Sequence, residues 1–478
     1  MSITASIGEA LAGGRAYDVC IIGSGAAGLT IANELGARGQ SVLVLEAGGE
    51  SYDEKSQAEY EGDFFGPLKF QFPIDVCRLR FFGGTTNHWG GFCRTLDDYD
   101  FRTKVNGIAT AWPITRGDLD PFLGRAGEYL QIPAIAPDVP LDDNVKQVQV
   151  VYSPPVHYGS KFREPMQKSA RVTVALNACA VDLRERDGDI VELEVRDPSN
   201  GRHYVRARRY VLAAGAIENS RLLLWSNRRN EGRVVKDATT LGRYFMEHPH
   251  FSIGEVIAAP ELGLTFDAWN ISWVAPTEQA IRRYGILNCG LRIQPKRYED
   301  DTKKLIATLG CVAPDLGRWA LRKVRKSLIC GLQLRASWEQ SPQAWNRVVL
   351  ANRPDSFGTP RADVHWRLGD FERRSVRTSA TLYGEYLVRK NLGRVRLDPW
   401  VLGEADFPND DEKTGNHHMG GTRMSRNARD GVVDADCRVH GLRNLFVAGS
   451  SVFPSAGHAN PTLTIVQLAL RLADHLAA

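Results

Sequence analysis

The stretch Tyr17-Asp18-Val19-Cys20-Ile21-Ile22-Gly23-Ser24-Gly25-Ala26-Ala27-Gly28, running on through Leu29 to Arg38 and into Ser41-Val42-Leu43-Val44-Leu45-Glu46, decides the fold. The apolar run Tyr17 to Ile22 predicts a buried strand, Gly23 to Gly28 a turn, Leu29 to Arg38 a helix, and Ser41 to Leu45 a second strand. These pieces make one βαβ unit. Its turn reads G-x-G-x-x-G between strand and helix, and the acidic Glu46 closes the next strand eighteen residues after Gly28. Gly23 permits the tight turn, Gly25 lets a pyrophosphate approach the backbone, and Gly28 lets helix and strand pack closely. Unpaired N–H groups of the helix N-terminus face the phosphates, beside Ser24, Ala26 and Ala27, and Glu46 accepts from ribose hydroxyls. The unit therefore predicts a dinucleotide site in a doubly wound, Rossmann-like α/β domain.

Working outward, the region Ile132 to Pro155 is rich in proline and reads as a surface excursion. Short alternating strands are expected from Arg171 to Asp197 around Asp187-Gly188-Asp189. Arg209 to Gly215 reads as another buried strand, followed by a helix over Ser220 to Leu224. From about Met246 to Asp406 strand-like alternation mixes with turns, and the chain closes with a strand at Leu445 to Ala448 and a helix from Thr462 to Leu476. The expected organisation is a discontinuous dinucleotide domain (1–100, 165–245 and 410–478), an excursion (101–164), and an inserted α+β substrate domain on an antiparallel sheet (246–409).

At 478 residues the chain has room for two or three domains, and its formal charge of +4 gives no footprint for nucleic acid. No uninterrupted apolar stretch reaches 18 residues, so no transmembrane helix is expected. The first fifteen residues carry Glu9 and no basic segment ahead of an apolar run. A secretory signal is therefore not expected, and a cytoplasmic location is. Eight dispersed cysteines with no C-x-x-C pair suggest buried thiols, with neither a metal site nor a disulfide framework. The basic stretch Arg318 to Lys326 reads as a solvated helix face or a segment near the substrate entrance, with contact to an acidic membrane as the alternative.

Four motifs, taken together, resemble the glucose-methanol-choline oxidoreductases, an FAD-dependent family that oxidises alcohols. They are Gly23 to Gly28 with Glu46; Gly83-Gly84-Thr85-Thr86-Asn87-His88-Trp89-Gly90-Gly91; Leu241 to Pro249; and a C-terminal pair. Within the family the chain is most similar to pyranose oxidase-like and C-glycoside oxidase-like sugar oxidoreductases. The strands at Val211-Leu212-Ala213-Ala214-Gly215 and Leu445 to Ser450 resemble those that return to the cofactor in two-domain flavoproteins. The resemblance implies FAD, with Ala47, Gly84, Thr85, Asn87, His88, Trp89, Gly90, Val181, Ala214, Gly215, Gly449, Ser450, Asn460, Pro461 and Thr462 among its neighbours. His88 is a candidate for covalent attachment to the flavin, against the alternative that it packs or hydrogen-bonds beside it.

The C-terminal pair carries the chemistry that the resemblance implies. His417-His418-Met419-Gly420 matches a histidine-x-x-glycine segment and selects His417, while Asn460-Pro461-Thr462 matches the second catalytic segment and selects Asn460. An alcohol donates hydride poorly until its hydroxyl proton is drawn off, and a neutral imidazole suits that task near pH 7. An asparagine amide can hold the substrate oxygen in line. The doubled histidine leaves His418 as an alternative to His417, and His458 stands near Asn460. The expected reaction turns a secondary hydroxyl of a sugar, glycoside or polyol into a ketone, with oxygen or a quinone-like compound as final acceptor. Alternatives are a tailoring enzyme for a sterol or other non-sugar alcohol, and a flavin-fold binding protein without chemistry. Self-association is left open.

Overall fold

A computed structural model describes the chain except residues 1–2, 5, 15, 69–72, 103–110, 260–261, 263, 268, 296–328 and 409–413. Its centre is a six-stranded parallel sheet, ordered Ile3–Thr4, Val172–Ala175, Val42–Leu45, Tyr17–Ile22, Ala207–Leu212 and Leu445–Val447. All four residues of Val42–Leu45 are buried, as they must be in a parallel strand covered on both faces. The helix Ala26–Ala37 covers one face and packs against the closing helix Thr462–Ala477. Gly28 lets that helix pack closely on the strand end before it, because a Cβ there would lie 2.0 Å from the Gly23 carbonyl oxygen and 3.4 Å from Ala213 Cβ.

The predicted hairpin forms through Asp187 and Gly188, both at positive φ (53° and 84°), between Cys179–Arg186 and Asp189–Arg196. Positive φ at both central residues is the turn that matches the right-handed twist of paired strands.

A seven-stranded sheet stands beside this core in the order Gly393–Leu397, His250–Ala258, Ile329–Trp338, Cys289–Pro295, Ser272–Pro276, Val145–Gln147 and Val139–Pro140. Its neighbouring strands pair antiparallel throughout. Two of its strands come from the proline-rich region expected to be a surface excursion. There Val145 and Gln147 are buried because they add to the edge strand Ser272–Pro276, a pairing too short to show as periodicity.

The expected α+β domain also holds a 20-residue helix, Asp370–Arg389, in a stretch read as strand-like alternation mixed with turns. It buries Val376, Ala380, Tyr383 and Leu387 at helical spacing on the sheet, and Glu372 Oε2 accepts from Gly369 N at 3.0 Å to start it.

Among the described residues no helix is long and apolar enough to cross a membrane, and no cluster of metal-ligating side chains occurs. Six described cysteines are buried thiols. The basic stretch Arg318 to Lys326 lies outside the described residues.

Candidate active site

A cavity of about 560 Å³ opens at the C-terminal end of the parallel sheet, where open α/β sheets bind ligands. Gly23, Ser24, Gly25, Ala26, Ala27, Glu46 and Ala47 line one end, and His417, Asn460, Pro461 and Thr462 line another part of its wall. Between them stand Gly84, Thr85, His88, Trp89, Gly90, Ala214, Gly215, Gly449 and Ser450. These twenty residues were singled out from the sequence, and they make up fewer than half of the wall.

Three expected neighbours stand off it. Gly28 serves packing, as above. Asn87 braces the glycine loop instead, its Nδ2 donating to the Phe82 carbonyl at 2.9 Å. Val181 falls where the strand pairing skips between Ala180 and Asp182, so the wall is built from Ala178, Cys179 and Ala180.

The turn fits a phosphate-bearing dinucleotide. A Cβ at Gly25 would meet no protein atom within 4 Å, so the space beside this backbone is open at the start of a 12-residue helix. Glu46, 5% exposed, is oriented by Ser24 Oγ (2.5 Å), Ser24 N (3.2 Å) and Gly48 N (2.9 Å). Ser24 Oγ also accepts from Gly83 N at 3.1 Å, tying the second glycine loop to the first. Arg80 lines the cavity while buried, and its Nη2 has no hydrogen-bond partner. A buried guanidinium nitrogen left in this state is costly, and a polar cofactor in the cavity would satisfy it.

No local motif announces the ionic wall beside Arg80. Arg78 Nη1 and Arg221 Nη1 contact opposite oxygens of Glu218 at 2.9 and 3.0 Å, and Arg221 Nη2 reaches Asp355. The two arginines outweigh burial and hold the Glu218 carboxyl down at about 2.

At the other end, two short backbone ladders bring distant segments together. Met246 and Met419 exchange both N–H···O bonds, at 2.8 and 3.0 Å, and Gly415 N donates to the His248 carbonyl at 2.9 Å. Gly420 and Gly421, at φ 76° and 93°, let the loop press on Tyr244 and Ser220, where a Cβ would come within 2.1 and 2.2 Å.

His417 is thereby placed with Nε2 3.3 Å from Asn460 Nδ2 and Nδ1 2.9 Å from His248 Nδ1. Burial, reinforced by the imidazoles of His248, His250 and His418, drives its pKa well below the ordinary value and keeps the ring neutral.

His418 also reaches the cavity, but its Nε2 faces Glu247 Oε1 (3.3 Å) and Cys77 Sγ (3.6 Å), away from Asn460. His458 is buried outside the cavity wall, 3.9 Å from Asp97 Oδ2. His88 lies on the wall, with its pKa lowered by burial and by His157. Glu247 and His248 carried no expected role, although both lie in the quoted Leu241 to Pro249 motif.

Residues 342–469, which include both His417 and Asn460, match the family model described as GMC oxidoreductase, and residues 18–62 match the one described as FAD dependent oxidoreductase. Fructose dehydrogenase large subunit of Gluconobacter japonicus is 24% identical over 96% of this chain and 97% of its own. The 6'''-hydroxyparomomycin C oxidase of Streptomyces lividus is 25% identical over 97% and 92%. C-glycoside 3-oxidase of Microbacterium trichothecenolyticum is 29% identical over 61% and 51%. Among solved structures, pyridoxine 4-oxidase from Mesorbium loti shares the fold, with a TM-score of 0.56 at 17% identity over 96% of this chain and 99% of that one.

Fold, cavity and matches define an FAD-dependent oxidoreductase. Its C-terminal part is similar to the GMC oxidoreductases, and the relatives just named are oxidases and a dehydrogenase.

Proposed function

We propose that the protein oxidises a secondary hydroxyl of a sugar, glycoside or polyol to a ketone, with His417 as the base and Asn460 as its partner. The observation that carries this reading is the pairing of His417 Nε2 and Asn460 Nδ2, 3.3 Å apart on the wall of one cavity with the Gly23 to Gly28 turn. When bound, FAD supplies the acceptor for the hydride that leaves the carbinol carbon.

The protein's own residues do the rest. His417 Nε2 takes the hydroxyl proton, Asn460 Nδ2 donates to the same oxygen, and the buried surroundings keep water away. Glu46 and the turn at Ser24 to Ala27 hold the adenosine and pyrophosphate half. Oxygen or a quinone-like compound closes the redox balance. The parallel sheet binds FAD, and the antiparallel sheet brings His250 to the substrate end, its ring centroid 5.9 Å from that of His417.

Support for a polyhydroxylated substrate comes from the relatives, whose names specify fructose, a C-glycoside and a paromomycin derivative. The test is an anaerobic screen of sugars, glycosides and sterols for loss of the oxidised-flavin absorbance. Bleaching by a sugar or glycoside is expected, bleaching by sterols alone favours the tailoring reading, and none by any alcohol removes the enzymatic one. His417→Ala should keep its flavin and lose about 10²- to 10⁴-fold in kcat; undiminished turnover removes the base assignment. Attachment through His88 is tested by acid denaturation and desalting. Yellow colour staying with wild type but not with His88→Ala supports the bond, and a colourless wild-type chain excludes it.

A further inference from the structure

We propose that His248 is a positioning residue that fixes His417 as the Nδ1–H tautomer and so presents the Nε2 lone pair to Asn460 and the cavity. The inference rests on the reading of His417 as the base.

His248 Nε2 lies 2.9 Å from the Gly457 carbonyl oxygen, which can only accept, so Nε2 carries a proton. His248 is fully buried, and burial together with His250 and His458 takes its pKa down to about 3. A neutral ring holds one N–H, so its Nδ1 is bare. That atom is 2.9 Å from His417 Nδ1. Two bare nitrogens at this distance would repel, so His417 must donate from Nδ1. Neutral His417 is left with a lone pair on Nε2, which Asn460 Nδ2 meets as donor at 3.3 Å.

The opposite tautomer fails at one contact whichever way the Asn460 amide is turned. With Nε2–H on His417, either the two Nδ1 lone pairs face each other or His248 gives up its bond to Gly457. His250 Nε2 pairs with Ser337 Oγ at 2.7 Å, and Glu247 Oε2 already accepts from the backbone N–H groups of His417 and His248.

A single turn grips both ends of this relay, since Gly457 supplies the terminal carbonyl and Asn460 the terminal donor. Gly457 stands at φ 58°, and a Cβ there would lie 2.6 Å from Leu96 Cδ2 and 2.7 Å from Asp100 Oδ2, which fixes the turn closely. When the hydroxyl proton reaches Nε2, the ring carries both N–H groups and a positive charge. The bond from Nδ1–H to His248 then becomes charge-assisted and strengthens as the proton moves.

The test uses the full chain with FAD, labelled with ¹⁵N-histidine. Long-range ¹H–¹⁵N correlation, with His417 signals identified by their loss in His417→Gln, should show a protonated Nδ1 and a bare Nε2. A protonated Nε2 overturns the proposal.

Two substitutions read the consequence. In His248→Asn the side-chain oxygen stands where Nδ1 stood and still accepts, whereas His248→Leu cannot. His248→Leu should lose about 10²-fold or more in kcat, on the scale of a mis-set catalytic tautomer, with little change in KM or flavin content. His248→Asn should recover most of that loss. Equal kcat in the two variants counts against the inference, and where neither variant holds flavin the spectrum of the wild-type chain decides. Full turnover by His417→Ala, with Nδ1 still protonated in the wild type, would remove the base reading and leave the tautomer standing.

Discussion

Glu247 Oε2 accepts the backbone N–H of His417 at 2.9 Å, across 170 positions of sequence. The same oxygen accepts from His248 N at 3.2 Å, so one carboxyl holds the backbone of both imidazole-bearing residues. Burial dominates its chemistry. With no exposure, the carboxyl is pushed up to about 8, the two N–H bonds offsetting only part of that rise.

Glu247→Gln should therefore be mild near neutral pH, because an amide resembles the protonated acid and keeps an acceptor oxygen. Glu247→Ala should lose about 2–4 kcal/mol by leaving two buried N–H groups unpaired. Urea unfolding checks both. The pH dependence has a definite sign. From about pH 4.5 to about 8 the native carboxyl keeps a proton that the unfolded chain releases, so this group's contribution to wild-type stability falls as pH rises. The Gln variant lacks that term, and its stability relative to wild type should improve steadily over the window. A constant difference would show that the carboxyl is ionised throughout.

Gly23 and Gly25 should respond in opposite ways. At Gly23, φ is 106° and a Cβ would lie 2.5 Å from the Ala213 carbonyl, so Gly23→Ala should cost about 1–3 kcal/mol of stability. At Gly25 the new side chain meets no protein atom within 4 Å and φ is −78°, so Gly25→Val should fold almost normally. It fills the space the cofactor needs. FAD affinity should fall at least tenfold, about 1.4 kcal/mol, read as the flavin left on the chain after gel filtration. A Gly25→Val protein that keeps its full complement of flavin would place the pyrophosphate elsewhere.

The ionic wall of the cavity is expected to be unforgiving. Arg221 faces Glu218 and Asp355 at once and also donates from Nε to the Pro360 carbonyl at 2.7 Å. Arg221→Leu leaves two buried carboxylates short of a partner, and a loss of about 3–5 kcal/mol should appear in urea unfolding. Arg221→Lys should recover only part, because an ammonium cannot serve both acids and the carbonyl with one planar fork. A neutral Arg221→Leu would mean that water reaches this wall freely.

Local signals were legible and long-range ones were not. The Gly23 to Gly28 turn, Glu46, and the Asp187-Gly188 hairpin each announce themselves within a few residues, because glycine and asparagine or aspartate at positive φ are chemically distinctive. His417 and Asn460 could be singled out because each lies in its own short motif. Nothing local joins His417 to Glu247 and His248; that depends on backbone bridges such as Met246 to Met419. The ionic wall likewise collects residues 78, 80, 218, 221 and 355 from three stretches of chain. On the helix Asp370–Arg389, arginines at 373, 374, 377 and 389 diluted the apolar stripe, and in the excursion two short strands had too few residues to reveal a period.

His458 gives a last test, of how the buried histidines set acid stability. Burial takes its pKa down to about 4; Arg94 and Lys146 push the same way, while Asp97 and Asp100 oppose them. Its Nε2 makes no hydrogen bond. An unfolded histidine titrates near 6.5. Between about pH 6.5 and 4, then, the unfolded chain binds a proton that the native ring refuses, and stability falls as the solution is acidified. His248 and His418, each held down at about 3, act in the same direction, so the wild-type curve should be steep. His458→Asn removes one of these groups. Its stability curve should be shallower by up to about 1.4 kcal/mol per pH unit across that interval, the value for one linked proton. Urea unfolding at half-unit steps from pH 4.5 to 7 measures the slopes, and parallel curves for the two proteins would mean that native His458 binds its proton as readily as the unfolded chain does.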